Sequence, residues 1–327
     1  MKDDRYSTTR SLSTEKPECF DRPADGMQTL LQMPKSARKV AEGGLRLQGW
    51  YKHATEDLPL ITVVTVVYNG VAYLEDTIRS VIEQTYDNVE YIIVDGGSTD
   101  GTLDVIRKYE GSIDYWVSES DKGMYDGLAK GFQTVSGSIL CYLNAGDLYV
   151  NTAMEAVVSI FRDTGVEWIT GLRSVCNEGN QVIRVDTPFR YRSRLIRAGV
   201  YGKYLPYIQQ ESTFWSRKLL CQVDMDVFRS LRYAGDYYLW FCFARKARLE
   251  CAQVQLGIFK RHEGQLSENL DKYRGELRKF VTCASIFDFI SVFFESLFWL
   301  ADERVRRLSR SRKIRFVSAN GRAFWTN

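Results

Sequence analysis

The sequence predicts an α/β protein built on a mostly parallel sheet flanked by helices. Three observations carry this. Several short runs are apolar without interruption and rich in β-branched residues, the pattern of strands covered on both faces. Segments with helical apolar spacing lie between them, which is the alternation of βαβ units. The apolar runs stop at clusters of Asn, Asp, Gly or Ser, the residues of turns.

Residues 60–67 (LITVVTVV) open the sheet and stop at Tyr68-Asn69-Gly70. Val71, Leu74, Ile78, Val81 and Ile82 then share one helical face. Residues 89–94 read as a second strand, ending at Asp95-Gly96-Gly97-Ser98, and Ser98 or Thr99 is placed to cap a helix running through Tyr109. A third strand follows at 113–117, a helix at 123–135, and a fourth strand at 139–143 that ends at Asn144-Ala145-Gly146-Asp147. Further on, 168–173 and 181–185 read as strands about a turn at 177–180, 236–245 as a helix and 249–259 as extended chain. The spacing divides the chain into a polar N-terminal extension (1–57), a central domain (58–267) and a helical C-terminal extension (268–327) that is amphipathic and then basic. Residues 1–37 have no sustained periodicity and read as mobile or loosely docked.

Composition excludes several classes. With 45% hydrophobic residues and only 6 Pro in 327, the chain is neither disordered nor collagen-like. A net charge of +3 gives no global field for nucleic acid, so none is expected as a partner. The 7 cysteines are odd in number and lack a CxxC pair, which suits reduced thiols in the cytosol better than a disulfide scaffold or zinc site. The 2 histidines, His53 and His262, rule out an HExxH metalloprotease. No apolar run in 1–40 suggests a signal peptide. Neither GxGxxG nor GxxxxGK[ST] occurs, which argues against a dinucleotide domain and a P-loop.

In parallel sheets ligands bind beyond the carboxyl ends of the strands. There the sequence places Tyr68-Asn69, Asp95, the 118–126 loop and Asn144–Asp147. Acids converging on one rim suit Mg²⁺ or Mn²⁺ with phosphate oxygens, although Asp and Asn also end strands simply as turn formers.

The residues from about 58 to 267 resemble family 2 inverting glycosyltransferases with the GT-A (Rossmann-like) fold. The matching stretches are TVVTVVYNG (62–70), the IxSVIxQTY run (78–86), YIIVDGGSTDGT (91–102), SESDKGMYDGLAKG (118–131), YLNAGD (142–147), QQESTFW (209–215) and AGDYYLW (234–240). The resemblance implies that Thr65, Tyr68, Asn69, Asp95, Asp121 and Lys122 bind the nucleotide. Gly96 stands where the family often carries a second acid. Asp147, with Asn144 as a weaker partner, is implied to hold the metal in a motif that is commonly Asp-x-Asp-Asp. Asp236 is implied as the catalytic base, with Glu211 as second choice. Glu211, Trp215 and Tyr237 are expected in the acceptor pocket, where sugar rings stack on aromatic faces. His262, Lys260 and Arg261 sit where the family closes a loop over the donor diphosphate; His262 reads as structural or exposed. A literal DxD at Asp224–Asp226 lies away from any strand end and reads as a decoy.

The implied activity is metal-assisted transfer of a sugar from a nucleotide-diphosphate donor, a UDP-sugar first, to a hydroxyl of a glycan or polyprenyl-linked acceptor. The alternatives are a non-catalytic nucleotide-sugar-binding relative and a nucleotidyltransferase. Residues 283–301 are densely aromatic, and 304–315 hold seven basic side chains. Together they read as an interfacial helix with a basic cluster drawn to anionic lipid, or else as a core or homodimer helix beside an exposed charge run. The expected location is the cytoplasm, at the inner face of a bacterial membrane.

Overall fold

The computed structural model describes residues 5–18, 21–22, 27–188, 190–262, 265, 268–282, 284–300, 313–317 and 322–326. The predicted βαβ run is present: β2 (Ile61–Val67), α1 (Leu74–Ile82), β3 (Val89–Asp95), α2 (Thr102–Lys108), β4 (Tyr115–Glu119), α3 (Met124–Phe132) and β5 (Ile139–Asn144). Strands β5, β2, β3 and β4 lie side by side and parallel, with β2 in the centre. An earlier strand, β1 (Lys39–Gly43), adds antiparallel to β4.

The sheet continues on the other side. Strand β6 (Leu148–Tyr149) and helix α4 (Ala153–Thr164) lead to β7 (Trp168–Cys176) and β8 (Val182–Asp186). Helix α5 (Ser193–Arg197) precedes β9 (Thr213–Ser216), which runs antiparallel between β5 and β7. Helices α6 (Arg217–Leu220), α7 (Met225–Ser230) and α8 (Gly235–Phe243) follow, then β10 (Glu250–Gln255), β11 (Gly257–Lys260), α9 (Leu270–Leu277) and α10 (Ile286–Leu300). A terminal hairpin, β12 (Lys313–Val317) and β13 (Arg322–Thr326), extends the sheet beyond β10.

Alternation along the strands builds two cores. Val64, Val66, Ile92 and Tyr142 face α3, α7 and α8, where Phe132, Phe228 and Trp240 pack. Ile61, Val63, Ile93 and Leu143 face α1, α2 and α4, where Ile78, Ile106 and Val157 pack. Both faces of the central strands are buried, which explains their uninterrupted apolar character.

Three expectations are corrected. The described part of 1–37 is docked: Ser7 Oγ donates to the carbonyls of Val81 and Ile82, at 3.0 and 3.1 Å. Packing continues through the rest of the extension, where buried Arg46 meets Glu90, and Lys52 Nζ lies 2.6 Å from Asp114. The sequence hid this because single polar side chains, not an apolar stripe, anchor the segment. Neither Ser98 nor Thr99 caps α2; Asp100 Oδ1 instead accepts from the Thr102 amide. The C-terminal extension is not purely helical, because Lys313 and Arg315 belong to β12. Residues 304–312 of the basic run lie outside the described residues. No helix among the described residues is long and apolar enough to cross a membrane.

Candidate active site

The ends of β2, β3 and β5, with the loop after β4, form one rim. Asn69 closes β2 with φ at +48°, a conformation Asn tolerates. Its amide donates to Ser98 Oγ at 2.7 Å and its Oδ1 accepts from the Thr99 amide at 2.9 Å, tying the first strand end to the second. Asp95 is fully buried and accepts from the Gly97 and Ser98 amides and from Ser118 Oγ at 2.6 Å. It therefore braces the rim from below. Tyr68 projects from the rim with 67% of its surface exposed, and Lys122 is also exposed.

Asp121 lies over Gly96. A β-carbon at Gly96 would come 2.7 Å from Asp121 Oδ2, so the carboxylate fills the space that a side chain at 96 would need. Burial raises the Asp121 pKa, against the opposing pull of the Gly123 amide. Thr65, by contrast, is in the core. It shares the parity of Val63 and Val67, faces the α1 side and accepts from the Tyr91 hydroxyl at 3.1 Å. The structure thus separates Thr65 from the rim.

The turn after β5 is clamped by α1. Thr77 Oγ1 receives the Gly146 amide at 2.8 Å and donates to the Asp147 carbonyl at 2.9 Å. This fixes Asp147, whose Oδ1 accepts from the Lys260 amide at 3.0 Å. Burial, reinforced by the nearby Glu211 charge, raises the Asp147 pKa well above the usual carboxylate range. Asn144 Oδ1 is buried without a hydrogen-bond partner. His262 stacks on Tyr73 with centroids 4.6 Å apart, and its Nε2 comes within 3.9 Å of where a β-carbon at Gly146 would sit. Lys260 Nζ pairs with Asp76 at 3.1 Å.

An orphaned amide oxygen and a buried carboxyl beside it are hard donors that fit a divalent cation. Among the described residues no three His, Cys, Asp or Glu side chains converge as a complete cage. Any cation there would share its coordination with oxygens from a ligand.

Across the cleft stand two more acids. Glu211, in a 3₁₀ turn before β9, is buried, and burial lifts its pKa to about 7. Gly257 makes this packing possible: a β-carbon there would lie 2.0 Å from the Glu211 carbonyl oxygen. Asp236 begins α8. Its Oδ1 accepts from the Tyr237 amide at 2.7 Å and faces the Tyr125 hydroxyl at 3.5 Å. Burial raises its pKa to about 7 as well, while neighbouring Tyr273 and Tyr125 favour the ionised form.

Two acceptor-pocket expectations are corrected. Trp215 is fully buried between Tyr142, Phe132 and Trp240, and Tyr237 is buried with its hydroxyl on the Ile196 carbonyl at 2.8 Å. Both are core aromatics. Asp224 caps α7, accepting from the Asp226 and Val227 amides, which accounts for the decoy DxD. Sequence reasoning missed Tyr73, Thr77, Tyr125 and Tyr273. Their signal is slight: Tyr73 and Tyr125 stand at the starts of α1 and α3, and Thr77 and Tyr273 lie one turn along α1 and α9.

Comparison with known proteins gives the family and the fold. The family model for glycosyl transferase family 2 matches residues 62–221. A glycosyltransferase of Haemophilus influenzae, described as uncharacterized, is 32% identical over 241 residues, covering 68% of this chain and 72% of that protein. The chain belongs to glycosyltransferase family 2 and is a transferase by family. Its fold matches S. aureus TarS 1–349, crystallised with UDP-GlcNAc, at a TM-score of 0.53 and 12% identity over 76% of this chain and 78% of that one. It also matches the mannosyltransferase PcManGT from Pyrobaculum calidifontis, in complex with GDP-Man and Mn²⁺, at 0.50 and 18% identity over 76% and 72%. These likenesses show the GT-A fold.

Proposed function

We propose that the protein is an inverting glycosyltransferase that uses a nucleotide-diphosphate sugar, a UDP-sugar first, and a hydroxyl of a glycan or lipid-linked acceptor. One observation carries the reading. The turn that carries Glu211 sits against the rim acid, with Gln210 Nε2 3.5 Å from Asp147 Oδ2, and the Asp236 charge helps to raise the Glu211 pKa, so the three acids share one neighbourhood.

The acids have different tasks. Asp236 accepts the proton of the acceptor hydroxyl as that oxygen attacks the anomeric carbon in line with the departing diphosphate. One displacement inverts the centre, so no covalent glycosyl-enzyme is formed. Tyr125 faces the carboxylate at 3.5 Å, and Tyr273 beside it favours the charged form. Glu211 lines the acceptor side. Tyr68, Asn69, Asp121 and Lys122 bind the nucleoside, with Asp95 bracing them from below. Asn144 and Asp147, with His262 beside them, would hold Mn²⁺ or Mg²⁺ together with the donor diphosphate. That cation would supply charge to stabilise the departing diphosphate. The UDP-GlcNAc and GDP-Man·Mn²⁺ complexes of the two structural neighbours support a nucleotide-sugar donor and a divalent cation.

Helix α10 points to a membrane. On α10, Ile286, Phe287, Ile290 and Phe293 are 68, 67, 46 and 61% exposed, while Asp288 turns inward to Arg194 at 2.9 Å. A continuous apolar face followed in sequence by a basic run suits anionic lipid. We therefore place the enzyme at a membrane surface, where a lipid-linked acceptor would meet it.

The experiment is a panel of nucleotide sugars with Mn²⁺, followed by nucleoside diphosphate release. Release from at least one UDP-sugar is expected. No release from any donor, together with no thermal shift with any nucleotide, would favour a non-catalytic relative.

A further inference from the structure

We propose that Glu276, on α9 beyond the family match, is the positioning residue for Asp236. The inference rests on the reading of Asp236 as base. The Glu276 carboxylate accepts hydrogen bonds from three consecutive backbone amides: Arg232 at 2.9 Å, Tyr233 at 2.7 Å and Ala234 at 2.8 Å. Those amides form the turn that leads directly into α8. Asp236 follows two residues later.

The side chain is buried, so a carboxylate there is costly unless its acceptor sites are filled. A row of amides at the start of a helix fills them, and charge-assisted bonds are about twice as strong as neutral ones. The turn is held from the opposite side by Tyr125, whose hydroxyl donates to the Tyr233 carbonyl at 3.1 Å. Gly235 admits the Tyr125 ring: a β-carbon there would lie 2.5 Å from it. Asp236 thus leaves a turn gripped by α3 on one side and by α9 on the other. Tyr273, one turn before Glu276, rests against Tyr207 with centroids 5.2 Å apart and its buried hydroxyl faces Asp236. Helix α9 is therefore a wall of the catalytic cleft.

Two measurements on the full chain test this. Hydrogen exchange is compared in wild type, Glu276→Gln and Glu276→Asp. In Glu276→Gln the amides of 232–234 should exchange at least ~10-fold faster while β2 and β3 stay protected, with Glu276→Asp intermediate. This arm needs no donor and stands whichever sugar is used. The second measurement is UDP release with the UDP-sugar that wild type turns over fastest. Glu276→Gln should lower kcat at least ~10-fold with donor KM unchanged, and Glu276→Asp should recover part of the loss. Unchanged exchange, wild-type kcat in Glu276→Gln, or a kcat loss matched by lost UDP-binding stoichiometry would overturn the role. Asp236→Asn runs alongside. If it retains full activity, the base assignment fails and the positioning role with it. If it is inactive while Glu276→Gln matches wild type, only the positioning role fails.

Discussion

Asp236 stores a conflict between stability and function. Its folded pKa, raised by burial to about 7, lies above the ordinary carboxylate value of about 4. The folded state therefore binds this proton more tightly than the unfolded chain. The resulting stability is fully present below about pH 4 and is lost as pH rises through 7. A working base needs the opposite, an ionised carboxylate. Turnover should accordingly fall below pH 7, and a pH–rate profile without an acid limb near 7 would contradict the assignment. Asp236→Asn should raise the melting temperature of the ligand-free protein at pH 8, checked by calorimetry. Residues differ in how far the sequence revealed them. Asp95 and Asp147 stand at strand ends that the apolar runs mark, whereas Asp236 is picked out only by the resemblance around AGDYYLW. Thr65 and Trp215 were misassigned because their types suit a pocket and a core equally; strand parity and neighbouring rings decided for the core. Glu276 left no signal, since its role depends on α9 docking against a turn 42 to 44 residues away in sequence.

The elements most legible in the sequence were β2, β3 and β5, whose long apolar runs reflect burial on both faces. Strands β1 and β9 were missed because they are short and lack such runs. Strand β11 matters through one close approach. Gly257→Ala would drive a β-carbon into the Glu211 backbone, which cannot swing aside as a side chain can. It should destabilise the protein by about 1–3 kcal/mol and lower turnover, measured by urea unfolding and UDP release. The segment before β2 holds the sheet through charge. Arg46 reaches Glu90 and the carbonyls of Leu31 and Thr134, with both ionic side chains nearly inaccessible. Arg46→Met would leave the Glu90 charge uncompensated and should cost about 3–5 kcal/mol in urea unfolding; a cost below 1 kcal/mol would show the pair to be dispensable.

At the scale of the molecule, the N-terminal segment and α9 pack on the central domain, the terminal hairpin adds to its sheet, and α10 is set apart by its exposed face. Phe287→Glu with Phe293→Glu alters side chains that are mostly in solvent, so melting should hardly change. Binding to phosphatidylglycerol vesicles should fall at least ~10-fold by cosedimentation, and wild-type binding should weaken in high salt. Equal binding of both forms would remove α10 as the docking face. The resemblance to family 2 transferases was legible because seven weak motifs occur in one order along the chain. The donor and acceptor were not, because they depend on how the loops of 173–233 fold over the rim. Asp236 as base of an inverting transfer is the claim on which the rest depends. Its most direct test is proton NMR of the first sugar product formed from an α-linked UDP-sugar by wild type and by Asp236→Asn. A β-configured product from wild type, and a loss of about 10²–10⁴-fold in rate with UDP binding intact in Asp236→Asn, is the predicted result. An α-configured product, or an unimpaired Asp236→Asn enzyme, would contradict it.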